Sequence, residues 1–252
     1  MLRWDASGRP GLRIETADGG RLLVRQGPRP LLFGRVDPHN YGVSLFRCPG
    51  YVSPLPPVRA AVMRRKPDWA HVFRTRLAAA GNGPLHAGRW LLDGAGLPPY
   101  CWRGDLVTDW PAAQLDWFDG WHGIVPLRPL GGPDEGRVKA YRKHAREGTL
   151  APVLLWWVSG LDGHLLLDGH DRAVAALAEG ADPPCLVLAL GLDDGRRRER
   201  PAHLAAACAA VPRERGRTRA WPVAGGPAAW EAARAAAGIS PGTFRAAGAT
   251  PR

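Results

Sequence analysis

The segment from residue 123 to 190 constrains the fold most, because short apolar runs and turn signals alternate there at regular intervals. Stretches with helical spacing, each closed by a glycine, fall between some of these runs. The pattern predicts strands at 124–127, 152–158, 164–167 and 185–190, and helices at 134–147 and 169–179. The order β-α-β-β-α-β describes a compact mixed sheet with helices, which belongs to the α+β class.

The string Leu-Asp-Gly-His-Asp-Arg at 167–172 joins a predicted strand directly to a predicted helix. Gly169 lets the backbone turn tightly and lets a ligand approach, and the start of the following helix favours an anion. Arg172 falls in the first helical turn, where its guanidinium can bind a phosphate or a carboxylate. A structural alternative stays open, in which Asp168 caps the helix and Arg172 pairs with Asp168 or Glu179.

Three strings carry a family resemblance: IVPLRPL, a helix ending at Gly148, and APVLLWWVSGLDGHLLLDGHDRAVAALAEG. Their order resembles the ParB/sulfiredoxin-like fold, which ParB-type partition proteins, sulfiredoxins and free-serine kinases share. Gly169 and Arg172 match the family's Gly-x-x-Arg box, whose arginine binds nucleotide phosphates. The resemblance covers about a quarter of the chain. It implies a nucleotide or another phosphorylated ligand, with Asp168 shaping the site, Gly169 admitting the phosphate and Arg172 holding it.

Two residues depart from the family pattern. His170 stands where sulfiredoxins carry their nucleophilic cysteine, so their thiol chemistry is not expected. ParB-type proteins usually place Glu and a second Arg where this chain has His170 and Asp171, and the string DGHDR lies nearest the DGHHR-like form of kinase-like and uncharacterised relatives. Asp171 fits beside a phosphate only if it points away or holds a divalent cation. His170 and Asp171 are the candidate catalytic residues, and their expected role is to transfer a proton or to bind Mg²⁺.

We predict no metal site formed by the protein alone. If a metal takes part, we expect Mg²⁺ that enters the pocket bound to a nucleotide. The alternative ligand set is irregular in spacing and consists of His164, Asp168, His170 and Asp171.

The four cysteines are scattered and form no CxxC pair, which predicts reduced thiols in a cytoplasmic protein; they are Cys48, Cys101, Cys185 and Cys208. Apolar runs of about eight residues fall short of the roughly 20 needed to span a bilayer, and the start, MLRWDASGRPG, lacks a signal-peptide core.

Residues 1–121 form the first predicted region, β-rich and then rich in Trp and Pro, with no predicted function. A hairpin turn at Ala17-Asp18-Gly19-Gly20 separates two of its strands. The predicted strands are 12–16, 21–25, 31–36 and 41–46, and a helix runs from Pro67 to about Leu77. The tryptophans of 84–121 either pack a loop-rich segment on the core or stack nucleobases.

Residues 122–192 form the ParB/sulfiredoxin-like region, and residues 193–252 form a basic linker with an Arg/Ala-rich helical tail. The chain has a net charge of +11, and arginines concentrate at 196–200 and 213–219. Such runs are either solvated or in contact with nucleic acid. The end of the tail, EAARAAAGISPGTFRAAG, has the spacing of small residues and the turn glycine typical of a DNA-binding helix-turn-helix; the alternative is an ordinary helical tail.

Three functions are compatible with these patterns. The first is a protein that binds a nucleotide or phosphorylated small molecule, with phosphoryl transfer or hydrolysis as candidate activities and enzyme status left open. The second is a non-catalytic DNA-associated regulator that uses the basic tail. The third is a degenerate domain for protein interaction. If the first function is correct, we expect Arg172→Ala to abolish ligand binding at little cost in stability.

Overall fold

The computed structural model describes residues 1–37, 41–117, 123–191 and 215–244. These residues form twelve strands and six α-helices, an α+β protein as predicted. The strands are β1 (Leu2–Ala6), β2 (Leu12–Ala17), β3 (Arg21–Gln26), β4 (Arg29–Asp37), β5 (Gly42–Arg47), β6 (Gly88–Asp93), β7 (Ala112–Asp116), β8 (Ile124–Pro126), β9 (Val153–Val158), β10 (Gly163–Asp168), β11 (Cys185–Leu190) and β12 (Ala220–Pro222). The helices are α1 (Ala60–Arg64), α2 (Trp69–Ala79), α3 (Pro99–Arg103), α4 (Gly136–Arg146), α5 (His170–Ala178) and α6 (Gly226–Ala236).

The first sheet has the order β1-β6-β11-β9-β10-β8. β9 and β10 are antiparallel neighbours, as predicted, while β11 runs parallel to β9 and β8 runs parallel to β10. β6 pairs with β11 and β1 pairs with β6, both antiparallel. The segment 123–190 therefore supplies four strands, and β1 and β6, both from the first predicted region, extend its sheet.

The second sheet has the order β12-β2-β3-β4-β5-β7. The predicted hairpin around Ala17-Asp18-Gly19-Gly20 is present, with β2 and β3 antiparallel. β12, from the last part of the chain, pairs in parallel with β2. Both sheets thus take strands from more than one of the three sequence regions.

The main core lies between the two sheets. It contains Trp90 and Trp156 from the first sheet and Leu32 and Val43 from the second, all almost fully buried. A second cluster, including Trp102 of α3 and Ala173 of α5, covers the other face of the first sheet. This double cover explains the uninterrupted apolar sequence of β9, whose six residues are all buried.

The described tryptophans of the segment 84–121 support packing rather than base stacking. Trp90 and Trp102 are buried, and the Nε1–H of Trp117 donates to the carbonyl oxygen of Leu161 at 3.1 Å. β6, α3 and β7 give this segment regular structure that the sequence did not predict.

Helix α6 packs on the outer face of the second sheet, where the ring of Trp230 meets the ring of Phe33 at 5.5 Å. Within the tail string that the sequence compares with a helix-turn-helix, Pro241–Phe244 form a short 3-10 helix, and the ring of Phe244 packs on Trp230. Several predicted features of the tail lie outside the described residues, namely the basic run 196–200, most of the linker, Cys208 and the residues after 244.

Among the described helices, none has the length and apolarity to cross a membrane.

Candidate functional site

An open pocket of about 470 Å³ lies where β10 ends and α5 begins. The parallel strands β8 and β10 end at the same edge, so Arg128, just after β8, comes close to α5. The opposite wall comes from residues 51–57, which follow β5. The sequence-predicted site residues all line this pocket, namely Asp168, Gly169, His170, Asp171 and Arg172.

Gly169 makes the sharp change from strand to helix possible. It has a φ of 90°, a left-handed conformation that residues with a Cβ rarely adopt. A Cβ at this position would also lie 2.8 Å from Nη2 of Arg172 and 2.9 Å from Cγ1 of Val153. The glycine therefore serves both the turn and the close approach of the arginine. The first N–H groups of α5 have no acceptor within the helix and face this turn.

Asp168 and Arg172 form a buried ion pair. Nη2 of Arg172 donates to Oδ2 of Asp168 at 2.7 Å and to the carbonyl oxygen of Pro152 at 2.9 Å. The hydroxyl of Ser53 donates to Oδ1 of Asp168 at 2.6 Å. Within the described residues no side chain caps α5, whose cap residue is Gly169. The capping role considered for Asp168 is therefore wrong, because both of its carboxylate oxygens are used by Ser53 and Arg172.

Asp171 holds two other guanidinium groups. Nη2 of Arg128 lies 2.6 Å from Oδ1 of Asp171, and Nη1 of Arg137 lies 3.6 Å from Oδ2. The Asp171 side chain is 11 % exposed, whereas those of Arg128 and Arg137 are 39 % and 67 % exposed. The negative charge that looked unfavourable beside a phosphate is thus neutralised, and it orients two accessible cations.

His170 is buried beneath the pocket, and its Nε2 atom has no hydrogen-bond partner among the described residues. Burial lowers the pKa of His170 well below its usual value, and the charges of Arg128 and Arg172 lower it further. The Tyr51 ring lies 6.2 Å from the imidazole, and burial raises the pKa of its phenol. The site therefore presents a neutral imidazole and a neutral phenol at neutral pH.

The charges that line the pocket leave a net excess of one positive charge, since three guanidinium groups face two carboxylates and His170 is neutral. The positive end of α5 adds to this excess. Arg172 is only 3 % exposed, so Arg128 and Arg137 are the cations that solvent or a ligand reaches first. An arrangement of this kind attracts a phosphate or a carboxylate.

The alternative metal-ligand set is not brought together. The His164 ring packs against Trp157 at 5.1 Å, and its Nε2 lies 3.4 Å from Nη1 of Arg215. In the described part of the chain no three His, Cys, Asp or Glu side chains cluster as a metal site would require. Asp168 and Asp171 are both engaged by guanidinium groups, so they do not fit a resident Mg²⁺.

Among the pocket residues that sequence reasoning missed are Arg128, Tyr51 and Ser53, which contact the predicted site residues. Arg128 lies in the string IVPLRPL, directly after the predicted strand that becomes β8. Because β8 runs parallel to β10, both strands end at the same edge of the sheet, and this position is the sequence feature that could have placed Arg128 in the site. Arg137 reaches the pocket from α4, a helix that the sequence predicts at 134–147 without assigning it a role in the site. Nothing in the local pattern around Tyr51 and Ser53 places them here, because they reach the pocket through tertiary packing.

Comparison of the chain with known protein families, with curated proteins and with solved structures found no match.

Proposed function

We propose that this protein binds a nucleotide or another phosphorylated small molecule in the pocket at the start of α5. The observation that carries the proposal is the pair Arg128 and Arg137, which Asp171 holds at the mouth of the pocket. Two accessible guanidinium groups beside a helix N-terminus form a site for a group with two or three acceptor oxygens. The volume of about 470 Å³ falls in the usual range for small-molecule sites.

The resemblance to the ParB/sulfiredoxin-like fold and the cytoplasmic location are parts of this proposal. In it, Arg128 and Arg137 contact the phosphate, while Arg172 shapes the floor of the pocket through Asp168. Mg²⁺ would arrive with a nucleotide and be held by the phosphates. If the protein also catalyses phosphoryl transfer or hydrolysis, His170 is the better candidate for moving a proton, because both oxygens of Asp171 are in ion pairs.

The alternative function, a DNA-associated regulator, depends on the basic tail. Residues 192–214 and 245–252 of that tail lie outside the described residues. In the part described, Trp230 and Phe244 face the protein's own sheet. The pocket therefore supports the first function better than the tail supports the second.

The test compares ATP and ADP, with and without Mg²⁺, by calorimetry on the purified protein and two single variants. Arg137→Ala removes a pocket cation and should weaken binding by about tenfold to a hundredfold, since a hydrogen bond to a charged group contributes roughly 1.5–3 kcal/mol. Lys143→Ala is the matched control, because this exposed cation of the same helix pairs with Glu147 and does not line the pocket. Equal weakening by both variants contradicts the proposal, and so does a failure to bind these nucleotides together with simple organic phosphates.

A further inference from the structure

One wall of the pocket is apolar and comes from outside the segment that resembles the family. It consists of Val52, Pro56 and Pro57, and Tyr141 of α4 is a further lining residue of the pocket. Val52 is 56 % exposed, and the two prolines are exposed as well. An exposed apolar surface facing accessible guanidinium groups suits a ligand that has one apolar part and one anionic part.

This wall is fixed on the side away from the pocket. The side chain of Gln26, at the end of β3, makes both backbone hydrogen bonds of Val52: Oε1 accepts from its N–H at 3.1 Å, and Nε2 donates to its carbonyl at 2.8 Å. Nδ2 of Asn82 donates to the carbonyl oxygens of Val52 and Ser53, each at 3.2 Å. An amide side chain that satisfies a backbone N–H and C=O together holds one backbone position as a neighbouring strand would.

The wall is also fixed on the side of the pocket. The hydroxyl of Tyr51 donates to the carbonyl oxygen of Leu167 at 2.7 Å, and that of Ser53 donates to Asp168 at 2.6 Å. Residues 51–53 are therefore attached to β10 as well as to β3. The apolar surface is in place before any ligand arrives, so binding against it needs little ordering of the chain.

We propose that the ligand is an organic phosphate with an apolar group, which lies against Val52, Pro56 and Pro57 while its phosphate meets Arg128 and Arg137. Gln26 is then a positioning residue for this specificity, although it lies outside the pocket lining. The inference rests on the proposed function, because it assumes that the guanidinium groups hold a phosphate. A bare phosphate ion or a sugar phosphate makes the ionic contacts and leaves the apolar wall in water.

The experiment measures dissociation constants for inorganic phosphate, ribose 5-phosphate and phenyl phosphate at one ionic strength. We expect phenyl phosphate to bind at least tenfold more tightly than the other two. Val52→Ser and Gln26→Ala should each reduce that preference several-fold, because each weakens phenyl phosphate binding more than inorganic phosphate binding. Gln114→Ala is the control, because its side chain accepts a hydrogen bond from Ser44 in the second sheet and does not line the pocket.

The outcomes separate the two proposals. If all three compounds bind alike and Arg137→Ala weakens each, the proposed function stands and the apolar specificity is overturned. If phenyl phosphate is preferred but both wall variants keep the full preference, the apolar group binds elsewhere and the inference is wrong. If none of the three compounds and no nucleotide binds, the proposed function fails and the inference fails with it.

Discussion

Arg172 and Asp168 are paired across the junction of β10 and α5, with Nη2 of the arginine 2.7 Å from Oδ2 of the aspartate. Their side chains are only 4 % and 13 % exposed. The same Nη2 atom donates to the carbonyl oxygen of Pro152, at the start of β9. The arginine that sequence reasoning assigned to a ligand therefore ties three parts of the protein together.

We accordingly expect Arg172→Ala to destabilise the protein, which reverses the sequence-based expectation of little cost. Removing one partner of a buried ion pair leaves the other charge uncompensated and typically costs about 3–5 kcal/mol. Urea unfolding of the wild type and the variant measures the change in free energy of unfolding. Arg146→Ala is the control, since Glu179 keeps its 2.5 Å contact with Arg142 when Arg146 is removed. A loss no larger than the control's would contradict a structural role for Arg172.

The two glycines at the ends of α5 allow a second test. Gly169 and Gly180 both have positive φ, 90° and 73°, but an added Cβ meets Arg172 and Val153 at the first position and nothing within 4 Å at the second. Gly180→Ala should cost only the backbone strain, about 1–2 kcal/mol. Gly169→Ala should cost at least about 1 kcal/mol more, because it also pushes on packed atoms. Thermal unfolding of both variants checks this, and equal losses would show that the crowding at Gly169 is unimportant.

Local patterns were sufficient for the elements that connect neighbours in sequence. The hairpin of β2 and β3 and the hairpin of β9 and β10 each combine two apolar runs with a turn signal. The pocket-lining residues 168–172 come together for the same reason, since a strand leads directly into a helix. Glycine at 169 was the deciding residue in that prediction.

Long-range pairings could not be predicted in this way. β1 joins β6, and β12 joins β2 across about two hundred residues; β1, β6 and β12 have only three to six residues each and little pattern of their own. The helix α5 shows a subtler difference. Its larger apolar side chains, Val174 and Leu177, are half-buried, while Ala173 and Ala176 are fully buried, which a sequence pattern based on side-chain size does not predict. We attribute this to the small alanine side chains, which let the helix pack closely on the sheet.

Asp171 provides a test in which two electrostatic effects oppose each other. Asp171→Asn makes the pocket more positive, which by itself favours a phosphate, but it also removes the anchor of Arg128 and Arg137. We expect the loss of orientation to dominate, so the affinity for ATP should fall several-fold. Asp182→Asn is the control, because it removes the same charge from a pair with Arg103 outside the pocket lining. Calorimetry that shows tighter binding by Asp171→Asn would mean that net charge alone governs the site.

The buried imidazole of His170 predicts a dependence of stability on pH. Burial and two neighbouring arginines lower its pKa well below 6.5, so the folded protein keeps it neutral while the unfolded chain protonates near 6.5. The unfolded state thus binds more protons below that pH, and the free energy of unfolding should fall as the pH drops from about 6.5 to 5, by up to about 1.4 kcal/mol per pH unit. This window lies above the usual range of the carboxylates, several of which have pKa values lowered by ion pairs.

Urea unfolding at pH 7.0, 6.0 and 5.5 measures this slope in the wild type and in His170→Asn. The variant should have a shallower slope whatever its absolute stability, because an amide does not titrate. Part of the slope should remain, since burial also lowers the pKa of His86. His86→Asn combined with His170→Asn should then flatten the profile further. Identical slopes in the wild type and His170→Asn would mean that the imidazole is protonated in the folded protein, and the neutral site described above would be wrong.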